Sequence, residues 1–181
     1  ALLSLALLLL GGCNGNEEPK LKVVTSTSLI AQIVERVGGD MVSVVNVIPP
    51  AQCPGHFDVT PGDIQKLADA KLFIIHNWQG EKFSDDLIAS ANNQSLVTVK
   101  VEIAGNWMTP PVQRDAADKI ATALAQIDPD NSTTYQNAAT EYKAQVTAKE
   151  TEVKAKLGQV NISAISVLCD EQQTGFVEWV G

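Results

Sequence analysis

The chain has 181 residues, 45% of them apolar and 19% charged. Those proportions suit one ordinary domain or two small lobes and exclude both a disordered chain and a disulfide-dense mini-scaffold. A formal charge of -8 argues against nucleic acid as a partner, because that role needs a basic face. Acidity of this size speaks to solubility and steering rather than to fold.

Residues 1–10, ALLSLALLLL, form an apolar run too short to span a bilayer. No Met or basic segment precedes them, so the chain reads as clipped at its front. The run closes on Leu10-Gly11-Gly12-Cys13, a small-residue cleavage context with a cysteine just past the cut. This resembles a prokaryotic lipobox, in which Cys13 is lipidated and becomes the first mature residue. The plainer alternative is a signal peptide with a chance cysteine. Residues 14–19 read as a polar tether. The expected location is the extracytoplasmic face of the cell membrane, periplasmic or cell-surface, with acyl chains as the membrane anchor. Cys53 and Cys169 then remain, and in an oxidising compartment they can pair as a disulfide or stay thiolates at a soft-metal site.

The elements follow in chain order. Residues 20–25 (KLKVVT) read as a β-branched strand. Ser26, Thr27 and Ser28 are candidate caps for a helix carrying Leu29, Ile33 and Val37, stopped by Gly38-Gly39. Residues 41–48 (MVSVVNVI) form a second strand that runs straight into the loop PPAQCPGHFD. Thr60-Pro61-Gly62-Asp63 opens a helix with a Thr cap, Pro in the first turn and Asp three residues on, with Ile64, Leu67 and Ala68 as its stripe. Residues 71–75 (KLFII) make a third strand, followed by His76-Asn77-Trp78. A short helix over 84–91 leads to a fourth strand at 95–101. Past Pro110-Pro111 a helix over 112–127 breaks at Asp128-Pro129. Asp130 or Asn131 then caps a long, Ala-rich helix to about residue 157, more strut than core. Residues 160–168 predict another strand, and 174–180 the start of one more helix.

Strands alternating with helices imply an α/β fold with a parallel, doubly wound sheet. In such a sheet ligands bind beyond the carboxyl ends of the strands. Residues 25–28, 49–58, 76–78, 105–110 and 169–173 each follow a predicted strand, so they are expected on one rim. Both histidines, Cys53, Cys169 and two of the three tryptophans lie in these segments. His56 is a metal ligand or a solvated loop residue. His76 is a ligand or a hydrogen-bonded packing residue. Glu171 is an oxygen ligand or an exposed carboxylate at a helix start. Trp78 and Trp107 more often pack than bind. Ser26, Thr27, Asn106, Trp107 and Gln172 are the candidate lining of the cleft. Catalytic signatures are missing: there is no nucleophile elbow, Walker A, G-x-G-x-x-G or H-E-x-x-H. No enzymatic activity is expected.

"PGHFDVTPGDIQKLADAKLFI", "NWMTPPVQRDAADKIATALAQIDPDNSTTYQNAATEYKAQV" and "VLCDEQQTGFVEWVG" resemble motifs of the cluster A-I solute-binding proteins, the zinc/manganese receptors of ABC transporters. The resemblance covers residues 20–181. It implies two α/β lobes joined by a rigid helix: a first lobe over 20–128, a connecting helix over 129–158, and the start of a truncated second lobe over 159–181. It further implies a monomeric, lipid-anchored receptor that takes a divalent transition metal, zinc- or manganese-like, as cargo in the interlobe cleft and hands it to an ABC permease. His56 falls on the family's first metal His. Gly105 stands where the second would be, and Glu171 and Gln172 fall in the third ligand region. With Cys53 and Cys169 as thiolates the site would lean to a softer ion. The alternatives are a metal-free adhesin of the same fold, or a receptor for a small anionic or metal-complex ligand.

Overall fold

The computed structural model describes residues 19–50, 52, 54–78 and 81–181. Its centre is a four-stranded, wholly parallel sheet in the order β2-β1-β3-β4, built from β1 (Leu21–Thr25), β2 (Val42–Asn46), β3 (Leu72–Ile75) and β4 (Val97–Lys100). The first connection, α1 (Ser28–Gly38), carries the chain from β1 to one side. The second, α2 (Pro61–Ala68), brings it back across β1 to the other. β1 and β3 are therefore neighbours whose connections leave in opposite directions, and their carboxyl ends form the topological switch point of the sheet.

Both faces of the sheet are covered, which is why Leu72 to Ile75 are apolar without interruption and wholly buried. Alternation assigns the faces. Val23, Leu72 and Ile74 meet α1 and α4 (Pro110–Ile127). Val24, Phe73 and Ile75 meet α2 and α3 (Phe83–Ala91), through Leu67 and Leu87. Gly38 ends α1 where a Cβ would fall 2.4 Å from the Val42 side chain, so the turn into β2 closes only around glycine. At α2, Asp63 reaches back to accept the Thr60 backbone N–H at 3.0 Å, the cap that the sequence anticipates.

Two expectations are corrected. Residues 160–168 are not a strand: they hold a single 3-10 turn, Ile162–Ala164, and an irregular run in which Ile165, Val167 and Leu168 are exposed. A β-branched run becomes a strand only when a neighbour completes its ladder, and this one pairs with neither edge of the sheet. The helix expected from residue 174 begins earlier, as α6 (Glu171–Val180), because the Asp170 carboxylate accepts the Gln173 N–H at 3.0 Å and caps it. The long helix α5 (Ser132–Leu157) is mostly exposed, as its composition suggests, yet its first turns are docked: Tyr135 and Ala139 are buried in the core of α1 and α4. Farther along, Arg114 of α4 pairs with Glu150 at 2.7 Å.

Candidate functional site

The site is built from the switch point outward. The register Thr25↔Ile74 places Ser26 and Thr27 beside the residues that leave β3. Ser26 continues the ladder by donating its N–H to Ile74 O at 3.0 Å. Thr27 is the N-cap of α1 and shares a 2.7 Å hydrogen bond through Oγ1 with His76 Nε2. His76 is only 2% exposed. Trp78 lies flat on its ring, with centroids 3.6 Å apart and planes within 5°, and Trp107 meets it edge-on at 4.2 Å. Burial pushes the imidazole down to about 3, so it is neutral throughout the physiological range. Among the described residues, His76 Nδ1 and Trp107 Nε1 are buried without a hydrogen-bond partner.

Next to this stack sits Glu81, also 2% exposed. Its Oε2 accepts the backbone N–H groups of Asn77 at 2.7 Å and Trp78 at 3.3 Å, and its Oε1 accepts the Ser26 hydroxyl. No cation pairs with it among the described residues. Asn77 takes a left-handed conformation, φ 69°, which Asn tolerates better than most side chains.

Trp78 and Trp107 of this stack also line a cleft of about 730 Å³. Thr27, Ser28 and Leu29 at the start of α1 line it, as do Ile48, Pro49, Gln52, Pro54 and Gly55 after β2. Trp78, residues 105–108, and Asp170, Gln172 and Gln173 complete the lining. All of the segments expected on one rim therefore contribute to one concavity. The last arrives on the first turn of α6 and not at a strand end. Asn106 binds it there: its Nδ2 donates to Gln172 O at 2.7 Å while its Oδ1 accepts the Met108 N–H at 2.9 Å. Gly175 permits this approach, since a Cβ there would lie 3.3 Å from Asn106 Cβ. Asn106→Ala is expected to loosen α6 selectively. Amide hydrogen exchange should quicken several-fold in residues 171–180 and stay unchanged in β1 and β3.

The individual site residues divide sharply. Thr27, Asn106, Trp107 and Gln172 line the cleft, whereas Ser26 does not: it is buried and bound to Glu81. His56 ends an exposed 3-10 turn, Pro54–His56, whose other residues line the cleft while its own side chain does not. His76 is covered by Trp78 and does not reach the lining. Glu171 is exposed on the first turn of α6, and the half-buried Cys169 carries a free thiol. Cys13 and Cys53 lie outside the described residues, and with them the lipidation and the Cys53 half of the disulfide expectation. Among the described residues no three His, Cys, Asp or Glu side chains gather to hold a metal ion. No helix among them is long and apolar enough to cross a membrane.

Sequence reasoning placed Met108, Asp170 and Gln173 on the rim only through their segments, and it missed Glu81. An acidic residue at the start of a helix reads as complementing the helix dipole on the surface. Nothing local tells that Glu81 is folded inward.

The fold is of the α/β class, with a polar and aromatic cleft at the switch point of a parallel sheet, where proteins of this class hold small ligands. The chain belongs to the family described as zinc-uptake complex component A, periplasmic, whose model matches residues 23–178. It is 26% identical over 187 residues to the metal ABC transporter substrate-binding lipoprotein SsaB of Streptococcus sanguinis, covering 88% of this chain and 60% of that protein. The fold matches the crystal structure of ZnuA with a TM-score of 0.78 at 19% identity, over 88% of this chain and 67% of that one. It also matches the metal-dependent lipoprotein YcdH from Bacillus subtilis, with a TM-score of 0.76 at 20% identity, over 89% of this chain and 64% of that one. The chain spans 60% of the length of the first curated relatives it matches.

Proposed function

We propose that this protein is the extracytoplasmic, lipid-anchored receptor of an ABC importer and that it carries a transition-metal ion in the cleft, without catalysis. The carrying observation is the convergence of the post-strand segments on one cleft at the switch point, in a chain whose family is a periplasmic uptake component. Relatives named as metal ABC transporter substrate-binding lipoproteins support the importer, the metal cargo and the anchor at Cys13. The proposed donors are His56, Cys53, Cys169 and Glu171, from the loop after β2 and the segment that leads into α6. No three such side chains gather among the described residues, so in this reading the metal assembles its own site. Its binding energy draws the α6 segment toward the first sheet and stabilises the closed form. A thiolate–imidazole set favours zinc or a softer ion over manganese.

Titration calorimetry with ZnCl₂ and MnCl₂ on the reduced full-length protein tests this. Zinc is expected to bind more tightly than manganese, and His56→Ala to weaken zinc by about 100-fold, close to 2.7 kcal/mol. No heat at low micromolar metal overturns the metal reading.

One observation favours a second reading. Asp170 is the single charged residue in the described lining, and the rest are amides, hydroxyls, indoles and aliphatic groups. Such a wall suits a preformed metal complex or a small organic ligand better than a bare ion. Binding of a neutral zinc chelate with no response to ZnCl₂ selects that reading. A metal-free adhesin would bind neither.

A further inference from the structure

We propose that Glu81 is a positioning residue of the cleft: its buried carboxylate clamps the Asn77 and Trp78 backbone so that Trp78 lies flat over His76 and shuts the imidazole off from the cargo. The inference rests on the reading of the cleft as the cargo site. Three donors converge on this one carboxylate, from two chain segments. The Asn77 and Trp78 N–H groups come from the segment leaving β3, and the Ser26 hydroxyl comes from the β1–α1 turn. A buried carboxylate without a cation costs stability unless its lone pairs are filled, and here backbone and hydroxyl donors fill them. The consequence is geometric. With the Trp78 backbone held at 3.3 Å from Oε2 and Asn77 held left-handed, the Trp78 ring stays parallel to His76 at 3.6 Å, while Trp107 closes the edge at 4.2 Å. Nδ1 of His76, without a hydrogen-bond partner among the described residues, is thereby withheld from the cleft and not spent within the core.

The stack has a spectroscopic signature. A proton above an indole face is shifted upfield, and the chain has two histidines, so the His76 ring resonance is assigned by comparison with His56→Gln. In wild type it should lie well upfield of His56, and Trp78→Ala gives the unstacked reference. Glu81→Ala is expected to move it to that reference and to raise the rate of His76 carbethoxylation at least tenfold. Glu81→Gln, whose carbonyl can still accept the two N–H groups, should keep it near wild type. A purely structural role would lower the melting temperature of both variants and leave the resonance in place. Should Glu81→Ala not fold, Ser26→Ala is read in the same way, with a partial shift expected. An unmoved resonance in the variant that folds overturns the proposal.

Addition of ZnCl₂ separates this result from the transport reading. In wild type zinc should shift His56 and leave His76 untouched, and in Glu81→Ala it should shift both. A shift of His76 in wild type overturns the clamp. No shift of either overturns the metal reading and leaves the cargo-free stacking result standing.

Discussion

Lowering the pH from 7 to 5 is expected to destabilise the protein by about 2 kcal/mol through His76 alone. Burial depresses the native imidazole from its ordinary 6.5 to about 3, so the native state does not take up the proton that the unfolded chain binds below pH 6.5. The sign follows from that imbalance. Above pH 6.5 neither state is protonated and His76 contributes no slope. Between pH 6.5 and 3 unfolding takes up a proton, and stability falls by about 1.4 kcal/mol per pH unit. Below pH 3 the slope vanishes again. The window from pH 6.5 to 5 is the informative one, because the carboxylates held below their usual range, Asp63 and Glu150 among them, lose their partners only at lower pH. Urea denaturation at a series of pH values should show this slope in wild type and lose it in His76→Phe. An equal slope in both proteins would place the acid sensitivity elsewhere.

Tyr135→Ala is expected to cost about 3–5 kcal/mol, the usual range for deleting a buried aromatic ring. Tyr135 is the largest fully buried side chain of α5, packed against the core of α1 and α4, and its hydroxyl donates to Asp128 at 2.6 Å. That bond also ties the first turns of α5 to the break at Asp128-Pro129, so the substitution removes the packing and this hydrogen bond together. Tyr135→Phe, which loses only the hydrogen bond, should cost about 1 kcal/mol. Val153→Ala, on the less buried far end of the helix, should fall within about 0.5 kcal/mol of wild type. Thermal or chemical denaturation distinguishes the three. Equal effects at residues 135 and 153 would mean that α5 is the uniform strut its composition suggests.

Those two residues show how far the sequence could be read. The strands of the sheet and α1 to α5 follow from local signals: β-branched runs, the Thr27 and Thr60 caps, Pro in the first turns of α2 and α4, and the Asp128-Pro129 break. Such signals act over a few residues and are visible without tertiary context. Their order implies a parallel sheet, and the sheet puts the loops after its four strands at one end, so four of the five segments around the cleft follow from local signals, while residues 169–173 reach it through α6 and not through the strand expected before them. The roles of individual side chains do not follow from such signals. His56 and His76 look alike as imidazoles after a strand, yet one stands on an exposed turn and the other is sealed between two indoles. Glu81, which looks like a surface carboxylate, is buried, while Glu171 remains exposed. Residues 160–168 have the composition of a strand and no partner strand to make them one. Burial, pairing and hydrogen-bond partners are set by residues distant in the chain, such as Ser26 for Glu81 and Thr27 and Trp107 for His76, and only the tertiary structure brings those together.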